Sequence, residues 1–245
     1  MISRFAMFCL PMLLSGPCCA DGRGEGAVYL VDEPFGSGGG GLPQGWKVFG
    51  KQVFVSTQDF VSPPAALCIM DGAASVSHPA HLPQVNIPFP RITQGEVRFS
   101  FHFKTTTDNP ALRVYLRNSR ANPVASLVFR DGLLGVEQPV GSVPEGGVAP
   151  RDGGMPRVWK PLLPLPGGVW HHVEVIVPGG KADDKRFSVI VSEAGGEARI
   201  FSGLLPLAGE RFYQSNWNFA SLMINALADG RQTSWIDNLQ VLATE

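Results

Sequence analysis

The stretch Glu96–Lys104, with the sequence EVRFSFHFK, decides the fold class of this chain. Successive side chains of a β-strand point to opposite faces, so a strand that covers a core alternates apolar and polar residues. The alternation here is strict: one face consists of Val97, Phe99, Phe101 and Phe103, and the other consists of Glu96, Arg98, Ser100, His102 and Lys104. We therefore predict a strand with one face on a core and the other in water.

A second strand of this kind is predicted at Leu112–Arg117. Its apolar face consists of Leu112, Val114 and Leu116, and its polar face of Arg113, Tyr115 and Arg117. Similar short runs recur along the chain, and Asp131-Gly132 between two of them favours a hairpin turn. These further predicted strands are residues 27–31, 46–49, 52–55, 65–70, 126–129, 133–136, 170–177, 186–191, 198–202, 222–225 and 235–242.

Three segments between these runs are predicted to be irregular. Residues 75–92 carry several prolines, and residues 141–169 are rich in glycine and proline. Residues 203–217 are predicted to be a loop with at most one helical turn near 207–213. Because no stretch shows sustained helical periodicity and about a dozen short strands remain, the sequence predicts an all-β fold, a sandwich or a barrel.

The composition limits the classes of function. The chain has 245 residues, a formal net charge of -1 and 44% hydrophobic residues, which is too apolar for a disordered chain. The basic residues are scattered, so no positive stripe favours nucleic acid. The sequence contains no phosphate-binding loop, no dinucleotide-binding fingerprint and no zinc-binding spacing of Cys and His. His171 and His172 are adjacent, so in a strand their side chains point to opposite faces and do not readily share a metal.

The N-terminus is typical of a secretory signal. Arg4 precedes an apolar stretch at residues 5–14 that is too short to span a bilayer, and small residues follow up to Ala20. We therefore predict a signal peptide at 1–20, a flexible lead-in at 21–26 and a single domain at 27–245. The expected location is secreted, periplasmic or in the cell envelope, with no membrane span. A lipoprotein anchored through Cys18 or Cys19 is the alternative, but Pro17 before Cys18 does not suit lipidation.

Cys68 is the one cysteine that lies outside the predicted signal peptide. It has no partner for an internal disulfide within the predicted domain. Its position in the apolar run AALCIM predicts a small buried side chain, and a reactive thiol is the alternative.

Several short motifs, in order, resemble the concanavalin A-like superfamily in its laminin-G-like jelly-roll form. Trp170–Val175 (WHHVEV) is similar to a strand of that superfamily, and residues 187–196 are similar to the strand and turn that follow it. Trp235–Val241 (WIDNLQV) resembles the closing strand, while 32–35 and 42–46 resemble the opening. The resemblance implies a two-sheet antiparallel β-sandwich whose concave sheet often binds a ligand. It does not imply one function, because lectins, glycan-degrading enzymes and adhesive modules share the fold.

The resemblance also implies a structural Ca²⁺ near the ends of the chain. Calcium takes six to eight oxygen ligands, mostly carboxylates and carbonyls. Glu33 and Asp237 are expected to meet across a sheet, with Asp71 as a third donor. In the alternative, Asp237 accepts backbone hydrogen bonds or caps a turn, and Glu33 is solvated.

The polar strand faces suggest a ligand site. Arg98 and His102 are expected to share a face with Arg113, Tyr115 and Arg117, while His172 and Glu174 alternate on another strand. Arginine pairs with carboxylate or sulfate in a bidentate fashion, so such a face suits a polysaccharide or glycoconjugate, especially an acidic one. An ordinary solvated sheet face has the same pattern and is the alternative.

Catalysis by this face would resemble that of polyuronate lyases. In such a lyase, arginine neutralises the uronate carboxylate and Tyr or His removes the adjacent proton. The candidate residues are Arg98, His102, Tyr115, Arg117 and His172. The sequence lacks the lyase strand Arg-x-Glu-x-Arg, the Gln-x-His pair and the Tyr- and Lys-rich closing strand. It also lacks the spaced carboxylates of the hydrolases, since Asp183-Asp184 lies in a polar turn.

The tryptophans divide into two groups. Trp170 and Trp235 lie in strand patterns and are predicted to pack in a core. Trp159, in the predicted loop 141–169, and Trp217 are the better candidates for stacking on a sugar. The sequence thus favours a non-catalytic glycan-binding or surface-interaction module. A polysaccharide lyase and a structural or adhesive envelope domain without a small ligand remain as alternatives.

Overall fold

A computed structural model gives the fold of the chain. It describes residues 27–35, 41–50, 52–71, 83–108, 111–139, 157–180, 186–193, 196–207, 218–227 and 232–244, without the side chain of Asp71. The predicted signal peptide and lead-in, Trp217, and all but the first residue of the turn expected near 207–213 lie outside the described residues.

The described residues form strands and no helix. The strands are β1 (Val28–Glu33), β2 (Lys47–Phe49), β3 (Val53–Ser56), β4 (Ala66–Asp71), β5 (Gln84–Ile92), β6 (Glu96–Thr105), β7 (Leu112–Arg117), β8 (Pro123–Arg130), β9 (Leu133–Pro139), β10 (Arg157–Pro164), β11 (His171–Pro178), β12 (Phe187–Glu193), β13 (Arg199–Leu204), β14 (Phe219–Ala226) and β15 (Gln232–Thr244). No helix in the described part of the chain is long and apolar enough to cross a membrane.

The strands form two antiparallel sheets. The eight-stranded sheet has the order β13-β12-β11-β6-β15-β4-β3, and β1 also pairs with β15. The seven-stranded sheet has the order β10-β9-β8-β7-β14-β5-β2. The predicted all-β jelly-roll sandwich is therefore confirmed.

The core lies between the two sheets and follows from the alternation in the sequence. On β6 the four apolar residues of the alternating stretch are fully buried, and on β7 Leu112, Val114 and Leu116 are fully buried. They belong to one continuous apolar cluster that also takes residues from β5, β8, β11, β12, β14 and β15. Each sheet therefore turns its polar residues to an outer face.

β15 carries the main irregularity of the eight-stranded sheet. Asp237 lies opposite His102, but the next paired residue is Gln240, opposite Ser100, so the strand contains a β-bulge. Asn238 in this bulge has a φ of 48°, a left-handed conformation that asparagine tolerates better than most residues. The bulge brings Asp237 and Asn238 together on the outer face beside His102.

Two segments predicted to be irregular contain strands. β5 occupies part of 75–92 and β10 occupies part of 141–169, and their prolines explain the wrong prediction. β10 is an edge strand, and β2 pairs with β5 only at Gln84–Asn86. Pro88 and Pro90 therefore lie where one side of β5 has no neighbour in the described sheet, which is where a strand tolerates a missing N–H.

Candidate functional site

The structure divides the predicted polar face in two. Arg98, His102, His172 and Glu174 lie on β6 and β11 of the eight-stranded sheet, whereas Arg113, Tyr115 and Arg117 lie on β7 of the other sheet. Both groups point away from the core, so they lie on opposite sides of the sandwich. The expectation of one shared face is wrong, and the five residues of the predicted lyase site do not meet. We call the two surfaces the histidine face (Arg98, His102, His172, Glu174, Asp237) and the arginine face (Arg113, Tyr115, Arg117, Glu137, Trp159).

The arginine face is built from residues in register across the seven-stranded sheet. Tyr115 on β7 lies opposite Ser126 on β8 and Met223 on β14. Trp159 on β10 lies opposite Glu137 on β9. Arg113, two positions from Tyr115, lies opposite Asn225. Because residues of one sheet face repeat every second position, these side chains form a continuous polar surface.

Glu137 connects three strands of the arginine face. Its Oε1 accepts a hydrogen bond from Nη2 of Arg113 at 2.6 Å, and its Oε2 accepts one from Oγ of Ser126 at 3.0 Å. Nη1 of Arg157 is 3.9 Å from the same carboxylate. Although they point outward, Tyr115, Glu137 and Asn225 have exposures of only 6%, 9% and 2%. This part of the surface is therefore a fixed network and not a set of freely solvated side chains.

Tyr115 is held in its neutral form. The Arg113 guanidinium lies 5.3 Å from the centre of its ring. Burial raises the pKa of the Tyr115 hydroxyl, and this effect outweighs the lowering by Arg113. A phenol with a raised pKa is a hydrogen-bond donor at neutral pH and a poor general base.

Arg117 differs from its neighbours because no carboxylate of the described residues pairs with it. Its Nε donates to the carbonyl oxygen of Ala121 at 2.8 Å, and its Nη1 lies 3.3 Å from Sδ of Met223. In the described part of the chain it forms no ion pair, whereas Arg113 and Arg98 both do. Burial lowers the pKa of its half-buried guanidinium, so this cation is poorly compensated.

Trp159 lies on strand β10 and not in a long loop as predicted. Its indole packs on β9 at Gly135, where an added Cβ would clash with the Trp159 Nε1 atom. The Arg130 guanidinium lies 4.3 Å from the ring centre. Glycine at position 135 therefore makes room for the indole against the sheet.

The histidine face is centred on three adjacent strands. His102 on β6 lies opposite His172 on β11 and opposite Asp237 on β15. The two imidazole centres are 5.0 Å apart. Burial lowers the pKa of His102 to about 4, helped by the neighbouring His172. Burial also lowers the pKa of His172, although Glu174 opposes that change. Both rings are therefore neutral at pH 7.

Asp237 is engaged by backbone amides. Its Oδ2 accepts hydrogen bonds of 2.7 Å from the N–H groups of Val61 and Ser62, and Oδ1 accepts one from Asn238 at 2.7 Å. Burial raises its pKa, and the three N–H groups only partly offset this. The carboxylate thus ties the segment between β3 and β4 to the outer face of the sheet.

The three carboxylates of the expected calcium site do not converge in the described backbone. Asp71 pairs with Gln232 and Glu33 with Leu239, seven positions apart on β15, or about 23 Å at 3.3 Å per residue. The Glu33 Oε1 atom accepts the N–H of Phe35 at 2.7 Å. Among the described residues no group of three or more His, Cys, Asp or Glu side chains is arranged to hold a metal ion. A calcium site formed with other donors stays a prediction.

Trp170 and Trp235, which are predicted to pack in a core, lie outside the central core. They form a satellite cluster with Ala66, Cys68 and Phe60 on the outer side of the eight-stranded sheet. Asp59 fixes its edge, accepting from Nε1 of Trp170 at 3.1 Å and from Nζ of Lys104 at 2.6 Å.

Three residues beside Arg113 and Tyr115, namely Ser126, Glu137 and Asn225, are not among the site residues predicted from the sequence. They alternate with core residues on β8, β9 and β14, so their side chains lie on the outer face of the sheet. Nothing in the sequence shows that Glu137 and Ser126 meet Arg113, because these contacts join separate strands.

Comparisons with known proteins agree with the fold. A solved alginate lyase of polysaccharide lyase family 14 from Aplysia kurodai matches with a TM-score of 0.52 and 14% identity over 82% of this chain and 91% of that one. An endo-β-1,4-glucuronan lyase from Trichoderma reesei matches with a TM-score of 0.49 and 14% identity, covering 84% and 94% of the two chains. Lectin I-B4 from Griffonia simplicifolia matches with a TM-score of 0.47 and 8% identity, covering 89% of this chain and 99% of that one. No protein-family model and no curated protein sequence matches the chain. At 14% identity, the likeness to the Aplysia kurodai structure shows the fold, a two-sheet jelly-roll sandwich, and not the function.

Proposed function

We propose that this protein binds an acidic polysaccharide on the arginine face without cleaving it. The observation that carries the proposal is Arg117, a half-buried cation that contacts a carbonyl and a thioether and, among the described residues, no carboxylate. A desolvated guanidinium without a counter-ion favours an anionic ligand, and its two parallel donors match a carboxylate or sulfate.

The surroundings of Arg117 suit a sugar polymer. Tyr115 lies two positions from Arg117 with a neutral, largely buried hydroxyl, and Trp159 is a partly exposed aromatic residue on the edge strand β10 of the same face. The face extends over adjacent strands, so several sugar units can contact it at once. A rigid face loses little conformational entropy on binding, and the Glu137 network supplies that rigidity.

Binding without cleavage is supported by the state of Tyr115. A lyase needs a group that removes the proton next to the uronate carboxylate. The raised pKa of Tyr115 leaves it protonated at neutral pH. The described residues of the arginine face include no histidine, because His102, His171 and His172 lie on the other sheet.

The test compares binding and cleavage on the same samples. Affinity electrophoresis and calorimetry with alginate, a uronate polymer, are expected to show retention that weakens as salt rises. Arg117→Gln should lower the affinity about ten- to a hundredfold, the loss of one charge-assisted contact. Arg98→Gln on the histidine face is the matched control and should bind as the wild type does.

Three outcomes would contradict the proposal in different ways. Ultraviolet absorbance from an unsaturated product would identify a lyase. Equal losses in Arg117→Gln and Arg98→Gln would move the binding away from the arginine face. No retention on any uronate or sulfated polymer by a folded protein would favour a structural or adhesive domain. Predicted export to the cell surface or beyond fits a polysaccharide partner and remains part of this proposal.

A further inference from the structure

The histidine face carries two side chains that the proposed function leaves unused. His102 and His172 come from antiparallel strands and lie directly opposite each other. Directly opposite residues have Cβ atoms about 5 Å apart, so both imidazoles rise from neighbouring points of the sheet. Both side chains are only partly buried, so the pair is open to solvent on this side of the sandwich.

We propose that His102 and His172 together bind a divalent transition-metal ion. Imidazole nitrogens bind such ions at about 2.0–2.1 Å, so two imidazoles on one tetrahedral ion have ring centres about 5 Å apart. The observed separation of the ring centres is 5.0 Å. The ring centres are therefore spaced as those of two imidazoles bound to one ion would be.

Asn238 is placed to hydrogen-bond the nitrogen of His102 that does not bind the metal. Its side-chain amide lies 3.4 Å from Nδ1 of His102, and its other end contacts Oγ of Ser62 at 2.7 Å. Turning the amide over keeps both contacts, because the serine hydroxyl can accept as well as donate. The amide oxygen then accepts Nδ1–H of His102 and leaves Nε2 free as the ligand, an arrangement that orients metal-binding histidines.

The charges around the pair allow a cation to bind. Lys104 on β6 is paired with Asp59, and Arg98 is paired with Glu96 and lies 3.7 Å from Glu174. Asp237 lies opposite His102 and adds a carboxylate on the other side.

Two histidines leave the other coordination positions open. Water, or a donor group from a ligand, would fill them. Imidazole favours Cu²⁺, Ni²⁺ and Zn²⁺ over Ca²⁺ and Mg²⁺, and affinity is highest for Cu²⁺ among these. The site is separate from the arginine face, so it does not depend on the proposed polysaccharide binding.

The experiment is a Cu²⁺ titration of the full, untagged chain after treatment with EDTA. Calorimetry should give saturable binding that is weaker for Ni²⁺ and Zn²⁺ and absent for Ca²⁺ at this site. His102→Gln and His172→Gln should each weaken Cu²⁺ binding at least tenfold. Replacing His78 and His81, the two histidines outside the described residues, by Gln is the matched control and should leave this binding unchanged.

A second measurement keeps the proposal falsifiable if a variant does not fold. The electron paramagnetic resonance spectrum of the wild-type Cu²⁺ complex should show coupling to two imidazole nitrogens, and the midpoint of thermal unfolding should rise with Cu²⁺. Coupling to one nitrogen, no saturable binding, or wild-type affinity in both single variants would overturn the proposal.

Discussion

At the scale of the residue, the ion pair between Glu137 and Arg113 is the contact with the largest expected effect on the arginine face. Glu137→Gln removes the charge that a half-buried guanidinium faces at 2.6 Å. We expect it to lower the free energy of unfolding by about 1–3 kcal/mol, as measured by urea denaturation. Glu174→Gln is the control: its contact with Arg98 is longer, at 3.7 Å, and more exposed, so the loss should stay under about 1 kcal/mol. Equal losses of unfolding free energy in the two variants would mean that the buried ion pair of Glu137 contributes no more to stability than the exposed one of Glu174.

Cys68 gives a prediction about alkaline pH. Burial raises the pKa of its thiol from 9.0 to about 11. The unfolded chain therefore releases this proton first as the pH rises, so stability falls between about pH 9 and 11 and is unaffected below that range. Cys68→Ala removes this contribution, so urea midpoints measured from pH 8 to 11 should decline less steeply in the variant. Parallel declines would show that the thiol ionises equally easily in both states.

At the scale of the element, Asp237 is expected to hold the segment between β3 and β4 on the sheet. Asp237→Ala leaves the N–H groups of Val61 and Ser62 without their acceptor, and we expect a loss of about 2–4 kcal/mol. Hydrogen exchange at these two amides should accelerate before the strands exchange. Asp32→Ala is the matched control on β1, because its exposed carboxylate accepts one bond from Gln240 and its loss should be small. Unchanged exchange at residues 61 and 62 would contradict this role.

The strands themselves differ in how far the sequence predicts them. β6 and β7 follow from strict alternation, because each covers the core with one face only. β5 and β10 could not be predicted in this way, since proline and glycine usually mark loops. Their prolines are compatible with strands only because of where they lie: Pro161 and Pro164 on the edge strand β10, and Pro88 beyond the end of β2. Whether a proline is tolerated here depends on the order of the strands in the sheet, which the sequence of the segment alone does not show.

At the scale of the whole molecule, alternation predicts that a side chain points outward but not from which sheet. β6 and β7 follow each other in the chain, yet they lie in different sheets. For this reason the sequence predicts the polar residues of β6 and β7 on one face, whereas in the structure they lie on the outer faces of different sheets. Pairing between distant segments, as of His102 with His172, depends in the same way on topology that local periodicity does not contain.

This separation leads to a prediction about the two faces. Sheets of a sandwich pack about 10 Å apart, with a close-packed core between them, so outer-face residues of one sheet touch none of the other. Substitutions that share no partners and lie this far apart act additively. We therefore expect Arg117→Gln to leave Cu²⁺ affinity unchanged and His102→Gln to leave retention on alginate unchanged. The double variant should lose both, with a change in unfolding free energy equal to the sum of the single changes. A coupling above about 0.5 kcal/mol would mean that the core transmits changes between the faces, and saturating one face with its ligand should then shift the affinity of the other.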